Sequence, residues 1–547
     1  MATMNSTKKS AQRKVTKDTN TTRNHTGTVV HKLDALETLF SRVLGSLFGE
    51  STFYEKRTAE DDYNKLCKTI SEVDDEDIEY VLKIARLGRE YNMIQYPLSV
   101  LTACMNDERF KGDKFLDEST GKNKLQTYTK VIVRRGKDIL DILATQMNVY
   151  GFTSKGRIRK HRDMPLPIQM RKSLKERLES FNEYQLAKAI GSNKQVSMAD
   201  AVKLLHPNPN KSRVRKHFYK ELIEERVSLA DGTKQVQSEL SKVNNKNSNT
   251  TKKDVVDSLD TSTVMAIVKN LVALHRQGIL DDPAAVDTIV SKLTNKKEVQ
   301  KSKLLPFRFY SAYKEVMKLP NSLGKVKVSD ALIEALDLSM YNLQDIKGYS
   351  AILIDLSGSM CNNISSMSSV TAKELACVLG AICVKKGVAD VYVFANSCEV
   401  VNVSKKSTVM DITEKLISIY VGGCTNLDVA LRKISNSGTK YTNLIILSDN
   451  DCYSQNGGTF KFGGYWSSYS TDDNINDLIK RGVIKKVYVN NLLGNNFAIV
   501  NTDDYRKNLI TGFSERIVDV INTYSAIGTG ASDIRVVIDS LVDALHK

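Results

Sequence analysis

The chain has 547 residues, of which 41% are hydrophobic and 26% are charged, the balance of a folded globular protein with roughly two to four domains. No stretch approaches the roughly 18 uninterrupted apolar residues of a membrane span, and we expect no signal peptide in the polar N-terminus. The eight cysteines are scattered without a C-x-x-C pair, so we expect reduced thiols in an intracellular, cytoplasmic protein. Composition therefore argues against a secreted, collagenous or membrane-spanning protein.

The positive charge is confined to the N-terminal part of the chain. The formal net charge is +16, but residues 344–547 contain 20 Lys and Arg against 20 Asp and Glu, which leaves the whole excess in residues 1–343. All eight prolines lie between Pro97 and Pro320. This asymmetry favours nucleic acid or another polyanion as the partner of the basic part. The simpler alternative is that a Lys-rich surface serves solubility alone.

Apolar residues at three- and four-residue spacing predict a helical N-terminal part. Residues 1–32 are polar and basic and are expected to form a disordered arm. The helical spacing begins with a face formed by Leu33, Leu36, Leu39, Phe40, Val43, Leu44 and Leu47. About ten helices are expected in residues 33–343, with a flexible low-complexity insert at 241–253. A series of helices without alternating strands favours an α-solenoid of paired helices.

After residue 344 the pattern changes to alternating strands and helices. Short runs of branched apolar residues occur in AILIDL, VYVFA, NLIILSD and KKVYVNN, at residues 351–356, 391–395, 443–449 and 485–491. Such runs are typical of strands that are buried on both faces of a parallel sheet. With the helical stretches between them, they predict a doubly wound α/β domain over residues 344–547.

Polar residues with metal-binding chemistry stand at the ends of these runs. Asp355, Ser357 and Ser359 follow the first run, Thr425 precedes a helix, and Asp449 ends the NLIILSD run. Ligands of open α/β sheets bind at the carboxyl ends of the strands, so we expect these side chains to converge. An all-oxygen set of this kind suits Mg²⁺. The alternative is that the Asp and Ser residues only cap helices and turns.

The order D-x-S-x-S, then T, then D resembles the metal-ion-dependent adhesion site (MIDAS) of von Willebrand factor A domains. That resemblance implies that all five positions coordinate a divalent cation, directly or through water. We expect no enzyme, because His546 is the only histidine after residue 275 and neither a G-x-S-x-G nor a Walker A motif occurs. A nuclease that used Asp355 and Asp449 would need further carboxylates for two metal ions.

Several stretches of the helical part resemble a known family. They are SLFGESTFYEKR (46–57), ARLGREYNMIQYPLSVLTAC (85–104), MPLPIQMRKSLK and MADAVKLLHPNP (within 164–209), and LVALHRQGILDD with SKLLPFRFYSAYKEV (within 271–316). In this order, and before a MIDAS-bearing domain, they resemble the TROVE proteins, the Ro autoantigen family, over roughly residues 33–547. The family implies a ring or horseshoe of HEAT-like helical repeats closed by the von Willebrand factor A domain.

The resemblance also implies RNA partners. In the family, small noncoding RNAs of the Y RNA type bind the outer basic surface, and single-stranded RNA ends enter the central hole. The implied RNA-binding positions are Arg171, Lys172, Lys175, Lys188, Lys194, Lys203 and His206. The stretch around Lys188 and Lys194 departs from the family pattern, since it is poorer in positive charge and lacks the Trp. Without the family, His206 is interpreted as a helix C-terminal residue that satisfies a last-turn carbonyl.

The sequence therefore predicts an intracellular RNA-binding scaffold, not an enzyme, that holds small structured RNA and defective RNA ends in RNA quality control. A divalent cation, Mg²⁺, is the expected cofactor. The alternative is a metal-dependent protein-interaction module. In that alternative, the second domain binds a partner's carboxylate on Mg²⁺ and the basic helices have no RNA role.

Overall fold

The structure, a computed structural model, describes most of the chain. The described residues are 21–24, 28–45, 48, 58–149, 166–224, 251–365, 368–452, 460–462, 465–467, 471–493, 497–512, 517–528 and 533–545. Within them, no helix is both long and apolar enough to cross a lipid bilayer. All eight cysteines fall inside these ranges, and each has a free thiol.

The first part of the chain is mainly helical, as the sequence predicts. Its helices are α1 (Ala35–Gly45), α2 (Ala59–Ser71), α3 (Ile78–Glu90), α4 (Gln95–Asn106), α5 (Lys124–Ile132), α6 (Gly136–Val149), α7 (Ile168–Ser180), α8 (Glu183–Ala187), α9 (Met198–Leu205), α10 (Arg213–Ile223), α11 (Lys252–Leu259), α12 (Val264–Arg276), α13 (Pro283–Thr294), α14 (Lys296–Ser302), α15 (Pro306–Met317) and α16 (Leu323–Ser339). Neighbouring helices pack on one another, for example α3 on α4 and α15 on α16. One apolar core runs through these helices and continues into the second part.

Local side-chain chemistry sets where many of these helices begin. Capping boxes, in which the N-cap side chain and the third helical residue bond each other's backbone N–H groups, start α2, α8, α9 and α11. In α11 the capping residue is Thr251, so the end of the predicted flexible insert is ordered. The expectation for 241–253 is therefore wrong at residues 251–253, while 241–250 lie outside the described residues.

The second part is a sheet covered on both faces by helices. Its strands are β3 (Tyr349–Asp355), β4 (Val388–Phe394), β5 (Cys398–Val401), β6 (Tyr441–Ser448), β9 (Ile484–Asn491) and β11 (Lys507–Thr511). Its helices are α17 (Ala372–Lys386), α18 (Val409–Ile417), α19 (Leu427–Asn436), α20 (Thr471–Lys480), α21 (Ile517–Ile527) and α22 (Ile534–Ala544). One face of the sheet shares a core with α17 and α21, and the other face shares a core with α19 and α20. The predicted doubly wound domain is confirmed.

The strand order places the carboxyl end of β3 at a crevice of the kind in which open α/β sheets bind ligands. The order is β11-β9-β6-β3-β4-β5, with every pair parallel except β4 and β5. The chain therefore moves outward to one side from β3, returns to β6 beside it, and moves outward to the other side. This reversal opens a crevice at the carboxyl ends of β3 and β6.

The N-terminal segment is folded onto the second part of the chain. Strands β1 (Thr21–Arg23) and β2 (Val29–Lys32) form a hairpin, and β2 pairs with β10 (Phe497–Ala498). A further hairpin is formed by β7 (Phe460–Phe462) and β8 (Tyr465–Ser467). The expectation of a disordered arm over 1–32 is therefore wrong for these strands, because pairing with β10 and burial of Val30 order them. Residues 1–20 and 25–27 lie outside the described residues.

The last helix of the chain is held on the third by charged side chains. The guanidinium of Arg535 on α22 donates to the carboxylate of Asp77, which immediately precedes α3. On α22, Asp539 accepts hydrogen bonds from the Tyr80 hydroxyl at 2.9 Å and from Lys83 Nζ at 2.5 Å. Burial and the Asp539 carboxylate raise the pKa of Tyr80 to about 12. The C-terminal helix is thus joined to the helical part of the chain by polar contacts.

The hairpin should contribute measurably to stability through Val30, which is 2% exposed, whereas its neighbour Val29 is 46% exposed. We expect Val30→Ala to lower the free energy of unfolding by about 1.5 kcal/mol, because two buried methyl groups are removed. The matched control Val29→Ala should change it by less than about 0.5 kcal/mol. Urea denaturation of the full chain measures both, and equal effects would contradict the described burial.

Candidate functional site

The predicted metal-binding residues Asp355, Ser357 and Ser359 lie together at the carboxyl end of β3. The Ser357 backbone N–H donates to Asp355 Oδ1 at 2.9 Å, and the hydroxyls of Ser357 and Ser359 are 3.2 Å apart. From the adjacent strand β6, the Ser448 hydroxyl donates to Asp355 Oδ2 at 2.6 Å. Asp449 follows Ser448 and is also buried. The reversal of strand order therefore brings the first and third predicted motifs together.

The loop that carries Thr425 packs against the serine loop. The backbone N–H of Gly358 donates to the carbonyl of Gly423 at 2.9 Å. Gly422 has a φ of 99°, and a Cβ there would lie 2.6 Å from the side chain of Asn396, so only glycine fits. The Asn396 side chain in turn accepts the backbone N–H groups of Gly423 and the following residue at 3.0 and 2.6 Å. These contacts hold the Thr425 loop at the edge of the crevice.

Burial gives this site its electrostatic character. Burial, and then the nearby carboxylate of Asp449, raise the pKa of Asp355 to about 7. Hydrogen bonds from Ser448 and Ser357 oppose that shift without cancelling it. Within the described residues there is no group of three or more His, Cys, Asp and Glu side chains that could hold a metal. A cation bound here would therefore need hydroxyl oxygens as well as the two carboxylates.

Two residues that position this site were missed in the sequence. Ser448 bonds Asp355 across the strand pair, and Asn396 fixes the glycine turn before Thr425. Ser448 stands next to a predicted ligand, so a hydroxyl at the last position of a strand was an available signal. Nothing in the sequence around Asn396 indicates its partner, because the turn that it holds lies 27 residues away in the chain.

The predicted RNA-binding residues on α7 and α9 are brought close to one another by Glu179. Glu179 is on α7, four residues after Lys175, and it accepts the backbone N–H of Asn208 at 2.7 Å and an ion pair from Lys211 at 3.0 Å. Although burial opposes its ionisation, these partners lower the pKa of Glu179. Asn208 follows His206 by two residues, so Lys175 and the end of α9 border the same surface.

The remaining predicted residues on this side are largely exposed. Arg171 and Lys172 on α7 are exposed, and Lys203 on α9 is half-buried. Among the described residues, neither Arg171 nor Lys172 has a carboxylate partner within ion-pair distance. We name the surface formed by Arg171, Lys172, Lys175, Lys203 and His206 the α7–α9 surface. It offers cations on helix faces and at a helix end, where phosphate groups can approach.

His206 has a left-handed backbone, which is compatible both with a residue that only ends the helix and with a residue that contacts RNA. It follows the last residue of α9 with φ 48° and ψ 58°, and its N–H donates to the carbonyl of Val202 at 3.0 Å. A residue other than glycine in this conformation is uncommon and costs free energy. The exposed imidazole is thus held at the helix end by a strained backbone.

Lys188 and Lys194 lie in the segment between α8 and α9. The Lys188 ammonium lies 4.1 Å from the ring centre of Tyr184, and Lys194 is exposed. Asn193, beside Lys194, donates to Asp141 on α6 at 3.0 Å. This contact ties the segment that carries Lys194 to α6.

The sequence also contains two clusters of basic residues, at 155–162 and 211–217. The cluster at 155–162 lies outside the described residues. In the cluster at 211–217, Arg215 is buried, with Nε 2.7 Å from Glu183 Oε1 and a further bond to the hydroxyl of Tyr219. Arg215 therefore joins α10 to α8 and is not available to RNA.

Comparisons with known proteins agree with this architecture. A family model described as the TROVE domain matches residues 239–356, from α11 to the end of β3. The crystal structure of the Deinococcus radiodurans RO (RSR) protein superimposes with a TM-score of 0.58, covering 93% of this chain and 100% of that chain at 14% identity. Residues 239–356 thus resemble a TROVE domain, and the chain as a whole has the fold of this Ro protein. A sequence comparison with curated proteins finds no match.

The TROVE match and the residues that suggested the family overlap only in part. The matched segment includes the LVALHRQGILDD and SKLLPFRFYSAYKEV stretches, whereas the residues of the α7–α9 surface precede it. The Ro fold extends over both parts of the chain. The comparisons therefore establish the architecture around that surface but do not assign roles to its residues.

The left-handed backbone of His206 provides a test that separates structure from binding. We expect His206→Gly to raise the free energy of unfolding by up to about 1 kcal/mol, because glycine adopts this conformation without a steric penalty. His206→Ala should lower it or leave it unchanged. Urea denaturation of both variants checks this, and a loss of stability in His206→Gly would show that the imidazole itself stabilises the fold.

Proposed function

We propose that the chain is an RNA-binding scaffold that holds small structured noncoding RNA of the Y RNA type and the unpaired ends of defective RNA in RNA quality control. The observation that carries this proposal is the α7–α9 surface, on which an ordered helical frame holds the exposed Arg171 and Lys172 and the half-buried Lys175 and Lys203. The proposal assigns binding, not catalysis, to the chain, and a cytoplasmic location follows from the same proposal.

Charge and family both support the proposal. The whole +16 excess lies in the first 343 residues, which include every residue of the α7–α9 surface. TROVE and Ro proteins form a family of RNA-binding ribonucleoproteins, and this chain matches a TROVE domain and has the Ro fold. A helical surface with displayed Lys and Arg suits double-stranded RNA, whose deep major groove excludes side chains and whose phosphates are accessible. We therefore expect recognition of RNA shape and backbone.

For the second part of the chain we propose a divalent cation, Mg²⁺, held by Asp355, Ser357, Ser359, Thr425 and Asp449 in a MIDAS-like site of a von Willebrand factor A-like domain. The residues present fit such an ion, because two buried carboxylates and two adjacent hydroxyls form an all-oxygen set. Burial and the Asp449 carboxylate raise the pKa of Asp355, so an added positive charge would stabilise the ionised pair. When bound, the cation would supply a coordination position for a partner's carboxylate.

A metal-dependent protein contact is a second candidate function, favoured by Tyr420. This residue lies five positions before Thr425 in the chain and is 87% exposed. Exposed tyrosines are enriched in protein–protein interfaces, where an apolar ring and a polar hydroxyl are both used. In this candidate the metal binds a carboxylate of the partner while Tyr420 packs beside it. The two candidate functions use different parts of the chain and are compatible.

Removing cations from the α7–α9 surface should weaken RNA binding in a salt-dependent way. We expect the triple variant Arg171→Ala/Lys172→Ala/Lys175→Ala to make the slope of log affinity against log salt less steep by roughly two to three units, because three cations that neutralise phosphates are removed. The measurement is a titration of structured RNA into the full chain at several salt concentrations. The control Lys405→Ala/Lys406→Ala removes exposed cations from the second part and should not change the slope. Equal slopes in all three proteins would place the RNA elsewhere.

Mg²⁺ should stabilise the folded chain by mass action. We expect excess Mg²⁺ to raise the melting temperature of the wild type, since a ligand that binds only the native state favours it. Asp355→Ala should abolish that increase, and the RNA affinity of this variant should stay within twofold of the wild type. Thermal melting with Mg²⁺ or with NaCl at matched ionic strength, alongside an RNA titration, measures both. No Mg²⁺-dependent increase in the wild type would contradict the cation site.

A further inference from the structure

The loop that follows β6 holds Asp449 through short-range contacts. The backbone N–H of Asn450 donates to the Ser448 hydroxyl at 3.2 Å, and the backbone N–H of Asp451 donates to Asp449 Oδ1 at 3.0 Å. Asn450 has a φ of 63°, a left-handed conformation that is uncommon for a residue other than glycine. A strained backbone of this kind persists only where surrounding contacts hold it in place. This loop therefore depends on contacts beyond its own residues.

Asn24, which directly follows β1, supplies such a contact. Its side-chain Nδ2 donates to the carbonyl of Cys452 at 3.0 Å, although the two residues are 428 positions apart in the chain. Asn24 is 6% exposed and Cys452 is 1% exposed, so this hydrogen bond is shielded from water. A buried carbonyl that loses its donor costs free energy, because water does not readily replace that donor. Asn24 therefore holds the far end of the Asp449 loop.

The turn of the N-terminal hairpin fixes the orientation of the Asn24 carboxamide. The backbone N–H of Thr28 donates to Asn24 Oδ1 at 2.8 Å, and the backbone N–H of Asn24 donates to the carbonyl of Thr28 at 3.0 Å. Because the carboxamide oxygen is used within the turn, the amide nitrogen is the group that is presented to Cys452. An ionised aspartate at this position would keep the accepting oxygen but would have no hydrogen to donate. The contact therefore requires a carboxamide.

The hairpin is itself anchored on the second part of the chain. In addition to the pairing of β2 with β10, Val30 is buried in the core that the sheet shares with α19 and α20. His31 Nε2 lies 3.6 Å from the carboxylate of Asp472 on α20, and that carboxylate also accepts from Lys507 Nζ at 2.7 and 2.9 Å. These anchors keep Asn24 at a constant position relative to the sheet.

A short series of contacts leads from Asn24 to the candidate metal ligands. Cys452 Sγ lies 3.8 Å from Ser448 Oγ, and the Ser448 hydroxyl donates to Asp355 Oδ2 at 2.6 Å. Cys452 is also three positions after Asp449, so a shift of its carbonyl moves the backbone that carries this carboxylate. Because the side chain of Asn24 is uncharged, it acts on a cation through the position of these groups and not through a charge of its own.

We infer that Asn24 is a positioning residue of the candidate metal centre, and that the N-terminal hairpin is therefore part of the metal-binding unit. The inference rests on the proposed cation site. By holding the carbonyl of Cys452, Asn24 keeps Asp449 where its carboxylate and that of Asp355 can share one cation. Residues that orient metal ligands from outside the coordination shell change metal affinity by about ten- to a hundredfold when they are replaced.

The test measures the Mg²⁺ dissociation constant of the full chain, from the rise in melting temperature with Mg²⁺ concentration above each variant's own metal-free value. We expect Asn24→Ala to weaken Mg²⁺ binding by about tenfold or more. The matched control is Val30→Ala, which removes buried contacts of the same hairpin but leaves the bond to Cys452, and its dissociation constant should stay close to that of the wild type. Equal weakening in both variants would overturn the inference, because general loosening of the hairpin would then explain it.

Asn24→Asp separates the effect of position from the effect of charge. The carboxylate keeps the acceptor for Thr28 and lacks the donor for Cys452, and its negative charge would by itself attract a cation. We nevertheless expect Mg²⁺ to bind this variant more weakly than the wild type, by about tenfold. Binding as tight as in the wild type, or tighter, would show that Asn24 does not act through its hydrogen bond.

A measurement without metal follows the loop itself. Cys452 is 1% exposed, so a thiol reagent reaches it only when the loop opens. With Mg²⁺ absent, we expect Asn24→Ala to speed the labelling of Cys452 by about threefold to tenfold, the factor that corresponds to the loss of one hydrogen bond. Peptide mass spectrometry measures the rate, and labelling of Cys383 on α17, which is also 1% exposed, should not change. An unchanged rate at Cys452 would overturn the inference.

The outcomes distinguish this inference from the cation site on which it rests. If Mg²⁺ does not raise the melting temperature of the wild type, the proposed cation site is wrong and the inference is wrong with it. If Mg²⁺ does raise it, but both Asn24 variants keep the wild-type dissociation constant, only the role of Asn24 is wrong.

Discussion

The position of β3 at the centre of the sheet determines the geometry of the candidate metal centre. Because β4 and β6 lie on either side of it, β3 ends at the crevice where the strand order reverses. Asp355 is thereby buried at the end of one strand and Asp449 just after its neighbour. The electrostatic cost of placing two carboxylates there is only partly offset by hydroxyl and backbone donors, which is why the site favours an added positive charge.

Buried or half-buried acidic side chains organise the cations of the helical part in the same way. Glu179 ties α7 to the residues after α9, and Asp138 holds the loop between α5 and α6. In each case the carboxylate accepts hydrogen bonds from the backbone as well as from a cationic side chain. It therefore fixes the position of the backbone in addition to pairing with the positive charge. Exposed arginines and lysines on these frames keep defined positions, which is a requirement for recognising the spacing of phosphates rather than charge alone.

Contacts between the ends of the chain connect its two parts. The hairpin of β1 and β2 adds to β10, and Asn24 at the end of β1 donates to the carbonyl of Cys452 at 3.0 Å, three residues after Asp449. At the other end, α22 is held on α3 by Arg535 and Asp539. Most of these contacts are polar, whereas the helices and the sheet share a continuous apolar core.

The sequence by itself determined the two classes of structure, many helix starts and the chemistry of the metal-binding residues. Those features depend on residues near one another in the chain: apolar periodicity, capping boxes and the spacing D-x-S-x-S. Tertiary structure alone decided that the hairpin of β1 and β2 is ordered. The strand with which β2 pairs, β10, is more than 460 residues away in the chain. Tertiary structure also brought Arg89 and Arg135 onto the buried carboxylate of Asp138 and tied the segment of Lys194 to α6. A charged residue looks the same in sequence whether its partner is a buried carboxylate or water, and only packing of distant helices distinguishes the two.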